Sequence, residues 1–123
     1  MTVVESIFRI SFWEVPLFIR VLPVTNSGPT SASIGKFGEE DLFRFNAADL
    51  GNYIIETKGP TDVVMKLFGP DSETKLIAED DDSGSRRNAR IEKNILKGTY
   101  YVQVRHYNRA KGKGNYTVKV SKG

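Results

Sequence analysis

An all-β fold, an antiparallel β-sandwich carrying an N-terminal arm, follows from three features of this 123-residue chain. From Ile34 onward, apolar and polar residues alternate with period two in short segments. Gly, Pro, Asn and Asp separate those segments at regular intervals, and β-branched and aromatic side chains dominate them. The length suits one domain with one core. The sequence then divides into an arm and linker over residues 1–33 and a sandwich over residues 34–123.

The first 24 residues support two periodicities. Val4, Ile7, Phe8, Phe12 and Val15 would line a helix, whereas Phe8, Ile10 and Phe12 alternate as in a strand. Pro16 interrupts a helix, and Pro23 ends a second apolar run from Leu17 to Leu22. Two strands are the preferred reading, with residues 3–15 open to either. The polar stretch 25–33 reads as a linker or long loop.

Beyond the linker, Phe43 and Phe45 share one face of segment 41–45, and Tyr53, Ile55 and Thr57 share one after the Gly51-Asn52 turn. Val63, Met65 and Leu67 define the next strand, which Gly69-Pro70-Asp71 ends. Segments 75–78 and 89–91 are shorter strands flanking a polar loop, 79–88. Tyr100, Val102 and Val104 mark the clearest strand, 99–107, and Tyr116, Val118 and Val120 mark the last. These two read as a hairpin joined by the basic, glycine-rich segment 108–114.

Composition excludes several classes of function. Lys and Arg number 18 against 15 Asp and Glu, and a net charge of +3 steers too weakly to create an expectation of nucleic acid binding. A hydrophobic fraction of 39% with 27% charged residues fits neither a disordered chain nor a membrane bundle. No apolar run approaches the roughly 20 residues of a membrane span. The absence of cysteine removes disulfides, thiolate ligands and a cysteine nucleophile. The opening Met1-Thr2-Val3-Val4-Glu5, followed by Arg9 and Glu14, does not have the pattern of a signal peptide. His106 is the one histidine and lacks an HExxH or GxSxG frame, and the glycines occupy turns rather than a phosphate loop. The chain therefore reads as a protein that is not an enzyme.

The order of motifs from Gly35 to Val120 carries a resemblance. The runs are Gly38-Glu39-Glu40-Asp41-Leu42-Phe43-Arg44-Phe45, Gly51-Asn52-Tyr53-Ile54-Ile55-Glu56-Thr57, Gly59-Pro60-Thr61-Asp62-Val63-Val64 and Ala78-Glu79-Asp80-Asp81-Asp82-Ser83-Gly84. Asn88-Ala89-Arg90-Ile91, Gly98-Thr99-Tyr100-Tyr101-Val102-Gln103-Val104 and Gly114-Asn115-Tyr116-Thr117-Val118 complete them. In order and spacing they resemble the bacterial pre-peptidase C-terminal domain family, which includes the collagen-binding domains of clostridial collagenases. The resemblance implies a jelly-roll-like sandwich, commonly a non-catalytic and often calcium-binding accessory module of secreted proteases, and hence an extracellular or cell-surface location. The chain departs from the collagenase type in two places. Ser27-Gly28-Pro29-Thr30-Ser31 stands where that type has acidic calcium ligands, and Arg105-His106-Tyr107 stands where collagen binding calls for a tyrosine-rich strand.

Four groups of residues are candidates for function. Glu79-Asp80-Asp81-Asp82 sets four carboxylates at the head of a Ser/Gly loop, and such oxygen donors suit Ca2+. Asp62 begins a neighbouring strand and Asn88 closes the loop, so Asp62, Asp80, Asp82 and Asn88 would form a metal site at one end of the sandwich. The alternative is a solvated turn balanced by Arg86, Arg87 and Arg90. Glu39 and Asp41 form a second candidate cation site. Arg105, His106, Tyr107, Arg109, Lys111 and Lys113 make a basic end suited to phosphate or acidic glycans, or else a solvated turn. Phe8, Phe12, Trp13 and Phe18 load the arm with aromatics that either cover the core or join a neighbouring subunit by strand addition. Phe8, Phe12, Trp13, Phe18, Arg105 and Tyr107 are therefore the candidate partner-binding residues. Two functions follow. One is a calcium-stabilised binding module recognising a protein or polysaccharide surface. The other is a structural subunit that assembles into a homo-oligomeric fibre, tube or coat through its arm.

Overall fold

Period-two alternation of β-branched and aromatic residues gives each segment one face to bury, and pairing those faces across two sheets builds the core. The computed structural model describes residues 6–10, 16–25, 28–82, 84 and 88–123. Among them the strands are β1 (Ser6–Ile10), β2 (Pro16–Val21), β3 (Thr30–Ile34), β4 (Glu40–Ala47) and β5 (Gly51–Lys58), followed by β6 (Val63–Phe68), β7 (Leu76–Asp80), β8 (Arg90–Ile95), β9 (Gly98–His106) and β10 (Gly114–Lys122). One sheet has the order β1-β2-β4-β9-β6-β7 and the other β3-β10-β5-β8. All pairings between these strands are antiparallel except β2 with β4, a short parallel ladder from Ile19 opposite Leu42 to Val21 opposite Arg44. The all-β sandwich expected from the alternation is the fold observed.

The inward faces are those the alternation marks. Phe43, Phe45, Tyr53, Ile55, Val63, Met65, Leu67, Tyr100, Val102, Val104, Tyr116, Val118 and Val120 are all buried in one cluster. Phe45 stacks on Tyr100 with ring centroids 5.5 Å apart and lies 6.2 Å from Tyr53. Side chains of this size each contribute about 1.5–3 kcal/mol through burial. The polar tips of the core are satisfied: the Tyr53 hydroxyl donates to the Asp49 carbonyl at 2.8 Å and the Tyr100 hydroxyl to the Leu96 carbonyl at 2.7 Å. Thr57 accepts the Ala89 N–H at 3.0 Å, so a threonine fits an otherwise apolar row.

Two expectations from sequence are corrected. Segments 99–107 and 114–122 do not form a hairpin: β9 lies between β4 and β6 in one sheet, and β10 between β3 and β5 in the other. Each strand has one apolar face, and that pattern is the same whether two strands lie side by side or face each other across the core. Here they face each other, and segment 107–113 crosses between sheets. The second correction concerns the polar stretch 25–33, which contains most of β3. Thr30 to Ile34 pairs with Val118 to Gly114 of β10 at the edge of its sheet. Its ladder uses backbone groups, and half-buried Ala32 with buried Ile34 supplies an apolar face too small to stand out in the sequence.

The early residues are built into the same sandwich. β1 and β2 form an antiparallel pair from Ser6 opposite Arg20 to Ile10 opposite Pro16, so the strand reading is the one observed there. Ile19 and Leu22 are buried; Leu22 N–H still bonds to Arg44 O of β4 in the first sheet, and the chain reaches the second sheet where Thr25 N–H bonds to Val120 O of β10. The first sheet thus takes in β2, and the second begins at Thr30, four residues before the division at 33/34. Strand register gathers loops 35–39, 59–62 and 107–113 and the described residues between β7 and β8 at one end, since Gly114 stands opposite Ile34, Glu40 opposite Arg105 and Val63 opposite His106. All the candidate sites outside the arm lie at that end.

Candidate functional site

At this end, a groove of about 910 Å3 opens between the β2–β4 side of one sheet and the β3–β10 side of the other. Arg20 of β2, Lys36 and Lys58 supply cations, Glu39 and Asp41 supply carboxylates, and Phe43, Tyr116 and the β3 serines 31 and 33 complete the wall. Arg20 holds its guanidinium 5.7 Å from the centre of the Phe43 ring. The Glu39 carboxylate accepts the Gly35 N–H at 3.0 Å, which folds the β3–β4 loop over the groove.

Asp41 and Tyr116 form the polar centre of the groove. Asp41 lies at the inward parity of β4, two residues before Phe43, and Tyr116 at the inward parity of β10. The Tyr116 hydroxyl donates to Asp41 Oδ2 at 2.6 Å and links the two sheets. Burial, and then a hydrogen bond to the Glu39 carboxyl, push the Asp41 carboxyl up to about 7, against a smaller lowering by Tyr116 and Arg20. Burial and the facing Asp41 push the Tyr116 hydroxyl above its ordinary value. At neutral pH the Asp41 carboxyl therefore holds a proton for part of the time and can donate as well as accept a hydrogen bond. A half-buried carboxyl with a raised proton affinity at the centre of the groove marks the best candidate for ligand contact. His106 is not among the groove's lining residues.

The structure brings the predicted acidic residues partly together. Asp80 stands opposite Met65, so the end of β7 lies beside the start of β6, and Asp82 falls within electrostatic reach of Asp81, Asp80 and Asp62. Those like charges raise the Asp82 carboxyl. Asp80 Oδ2 accepts the Arg90 N–H at 2.9 Å, and the carbonyl of buried Asn88 accepts the Gly84 N–H at 2.7 Å. Among the described residues, no group of three or more His, Asp or Glu side chains is close enough to hold a metal ion. Glu39 and Asp41 do meet, but as a hydrogen-bonded pair. As described, neither cluster presents the converging donor set that calcium takes.

The predicted partner-binding residues separate. Tyr107 is exposed, whereas Arg105 is half-buried and donates to the carbonyls of His106 and Tyr107 at 3.0 and 3.5 Å, so it braces its own loop. Phe8 and Phe18 occupy opposite positions in the β1–β2 register. Phe12 and Trp13 lie outside the described residues. Sequence reasoning missed Arg20 and Tyr116 as site residues. Tyr116 could have been found, because it is the one polar-tipped residue on the inward face of its strand, opposite an acid at an inward position of another.

No family model and no curated protein matches the chain. Among solved structures, it superposes on the pre-peptidase C-terminal domain of collagenase from Bacillus anthracis with a TM-score of 0.65, at 19% identity, over 83% of this chain and 95% of that one. The two share one fold. The resemblance read from the sequence therefore holds at the level of architecture. The chain is also similar to Salmonella Typhimurium PliG, a periplasmic lysozyme inhibitor of g-type lysozyme, with a TM-score of 0.51 and 18% identity over 84% of this chain and 98% of that one. No helix among the described residues is long and apolar enough to cross a membrane.

Proposed function

We propose that this sandwich is a non-catalytic binding domain that recognises a protein surface through the groove between its sheets. The observation that carries this reading is the groove itself. It is open and of mixed charge, it holds a half-buried carboxyl bonded to a buried tyrosine, and among its described lining residues no serine is paired with a base. Arg20, Lys36 and Lys58 would meet acidic or carbonyl groups of a partner, while Asp41 with Tyr116 would exchange hydrogen bonds with a polar side chain inserted between the sheets. Likeness to a collagenase accessory domain and to a lysozyme inhibitor supports a protein as partner and a location outside the cytoplasm. Calcium enters as a separate proposal, supported by the like-charge crowding at Asp82, which a divalent cation would relieve.

The test uses the intact chain as immobilised bait for proteins of its source organism, beside a Lys36→Glu/Lys58→Glu variant of equal melting temperature. The reading expects a protein retained by the wild type and lost by the variant. Equal retention, or no protein retained by the wild type, would overturn it.

A further inference from the structure

The β9–β10 loop is held in place by its own hydrogen bonds. Lys111 N–H and Gly112 N–H bond to the Asn108 carbonyl at 3.3 and 2.8 Å, and Ala110 N–H bonds to Asn108 Oδ1 at 3.2 Å. His106 Nδ1 accepts the Asn108 N–H at 2.9 Å, and Tyr107 N–H bonds to the Asp62 carbonyl at 2.9 Å. The His106 ring lies so close to Gly112 that a Cβ there would stand 1.9 Å from Nδ1. Only glycine fits, and the loop is pinned at its base.

This turn concentrates positive charge. Arg109, Lys111 and Lys113 alternate with Ala110, Gly112 and Gly114, so a cation recurs at every second residue with little side-chain bulk between. Arg109 reaches Glu40, whereas Lys111 has no acidic partner among the described residues. The Lys113 ammonium sits 5.0 Å from the centre of the Phe37 ring rather than on a carboxylate. Phe37 and Tyr107 are 56% and 61% exposed, which leaves two aromatic faces beside the cations at the cost of exposed apolar surface.

We infer that this end of the sandwich is a second binding site, apart from the centre of the groove, for an acidic polysaccharide whose sugars bear carboxylates. The ammonium groups of Lys111 and Lys113 suit carboxylates, and exposed rings stack on the C–H faces of pyranose sugars. Small residues between the cations let the polymer approach the backbone. The neighbouring acids select against a denser polyanion. Asp62 is bonded through its carbonyl to the loop, and Asp82 lies within electrostatic reach of Asp62, so the closely spaced phosphates of a nucleic acid would meet negative charge beside the positive.

The experiment is calorimetric titration of the full chain with an oligogalacturonate at physiological ionic strength, with poly-L-glutamate and oligothymidylate titrated for comparison. Lys111→Ala/Lys113→Ala and Phe37→Ala/Tyr107→Ala are each expected to weaken oligogalacturonate binding by about tenfold or more. The charge-matched control Lys93→Ala/Lys97→Ala, which removes two cations elsewhere, should bind as the wild type does. All variants are checked for an unchanged melting temperature. No binding by the wild type, equal weakening by the control, or tighter binding of polyglutamate or oligothymidylate would overturn the inference. The groove variant Lys36→Glu/Lys58→Glu retains the loop cations and both rings, so loss of the protein partner and loss of the polysaccharide are separable.

Discussion

Replacing Asp41 with asparagine removes the carboxyl that ties β4 to Tyr116 without changing its size, and the effect depends on pH. In the folded chain this carboxyl is pushed up to about 7, against 3.8 for a free aspartate. Between those values the native state holds a proton that the unfolded chain has released, so stability is greatest below about 4 and falls as pH rises to about 7. Each tenfold in proton affinity corresponds to about 1.4 kcal/mol, which sets a ceiling of about 4 kcal/mol. The group is only half-buried and screened by solvent, so a decline of about 1–2 kcal/mol is expected. The assay is urea unfolding of both proteins from pH 4 to pH 8 with EDTA present, so that a cation held by Glu39 and Asp41 does not enter. The wild type minus variant stability should fall across that range. A difference that stays constant, or rises, would refute both the proton held at Asp41 and the electrostatic account of the groove.

Other substitutions probe the remaining parts of the structure. Tyr116→Phe deletes the hydroxyl that crosses the sheets and should cost about 1–3 kcal/mol at pH 8, where Asp41 is charged, and less at pH 5, as measured by urea unfolding. Phe45→Ala empties a fully buried site stacked on Tyr100 and should cost about 3–5 kcal/mol in the same assay, enough to unfold much of the population. Gly69→Ala places a Cβ 2.7 Å from the Tyr100 ring at a backbone φ of +135° and should lower the thermal midpoint, whereas Gly28→Ala, with open space around it, should not. If calcium stabilises the loop, millimolar Ca2+ should raise the melting temperature and EDTA reverse it, with Asp82→Asn abolishing the rise. An unchanged melt with and without EDTA removes calcium from the proposed function.

The core was legible because burial in a sheet has period two, and Phe43, Met65, Val102 and Val118 each fall on the parity that the apolar residues mark. Which sheet each strand joins was not legible. Alternation gives every strand one inward face, and that face is the same for β9 and β10 whether they pair or oppose. Pairing is decided by how backbone ladders close at the edges, as when β3 takes the free side of β10 although Thr30, Ser31 and Ser33 give it almost no apolar signature. The acidic loop shows the same limit. The run Glu79 to Asp82 named the chemistry, but strand register decided that Asp80 would accept the Arg90 N–H while Asp62 drew near Asp82.

The groove combines both kinds of information. A carboxylate at the inward parity of a strand cannot be an ordinary surface charge, because the strand turns it toward the other sheet, and Asp41 could be recognised on that ground from Phe43 and Phe45 alone. Tyr116 could likewise be recognised as a polar tip on an inward face, but not that the two would meet, since Tyr116 is 75 residues distant and belongs to the opposite sheet. Once the sheets close, a buried carboxyl has three routes to stability: a cation, a hydrogen-bond donor or a proton. The Tyr116 hydroxyl supplies the second, and the proximity of Glu39 favours the third. An acid held in this way costs stability as the pH rises, so packing alone gives no reason for a carboxyl at an inward position.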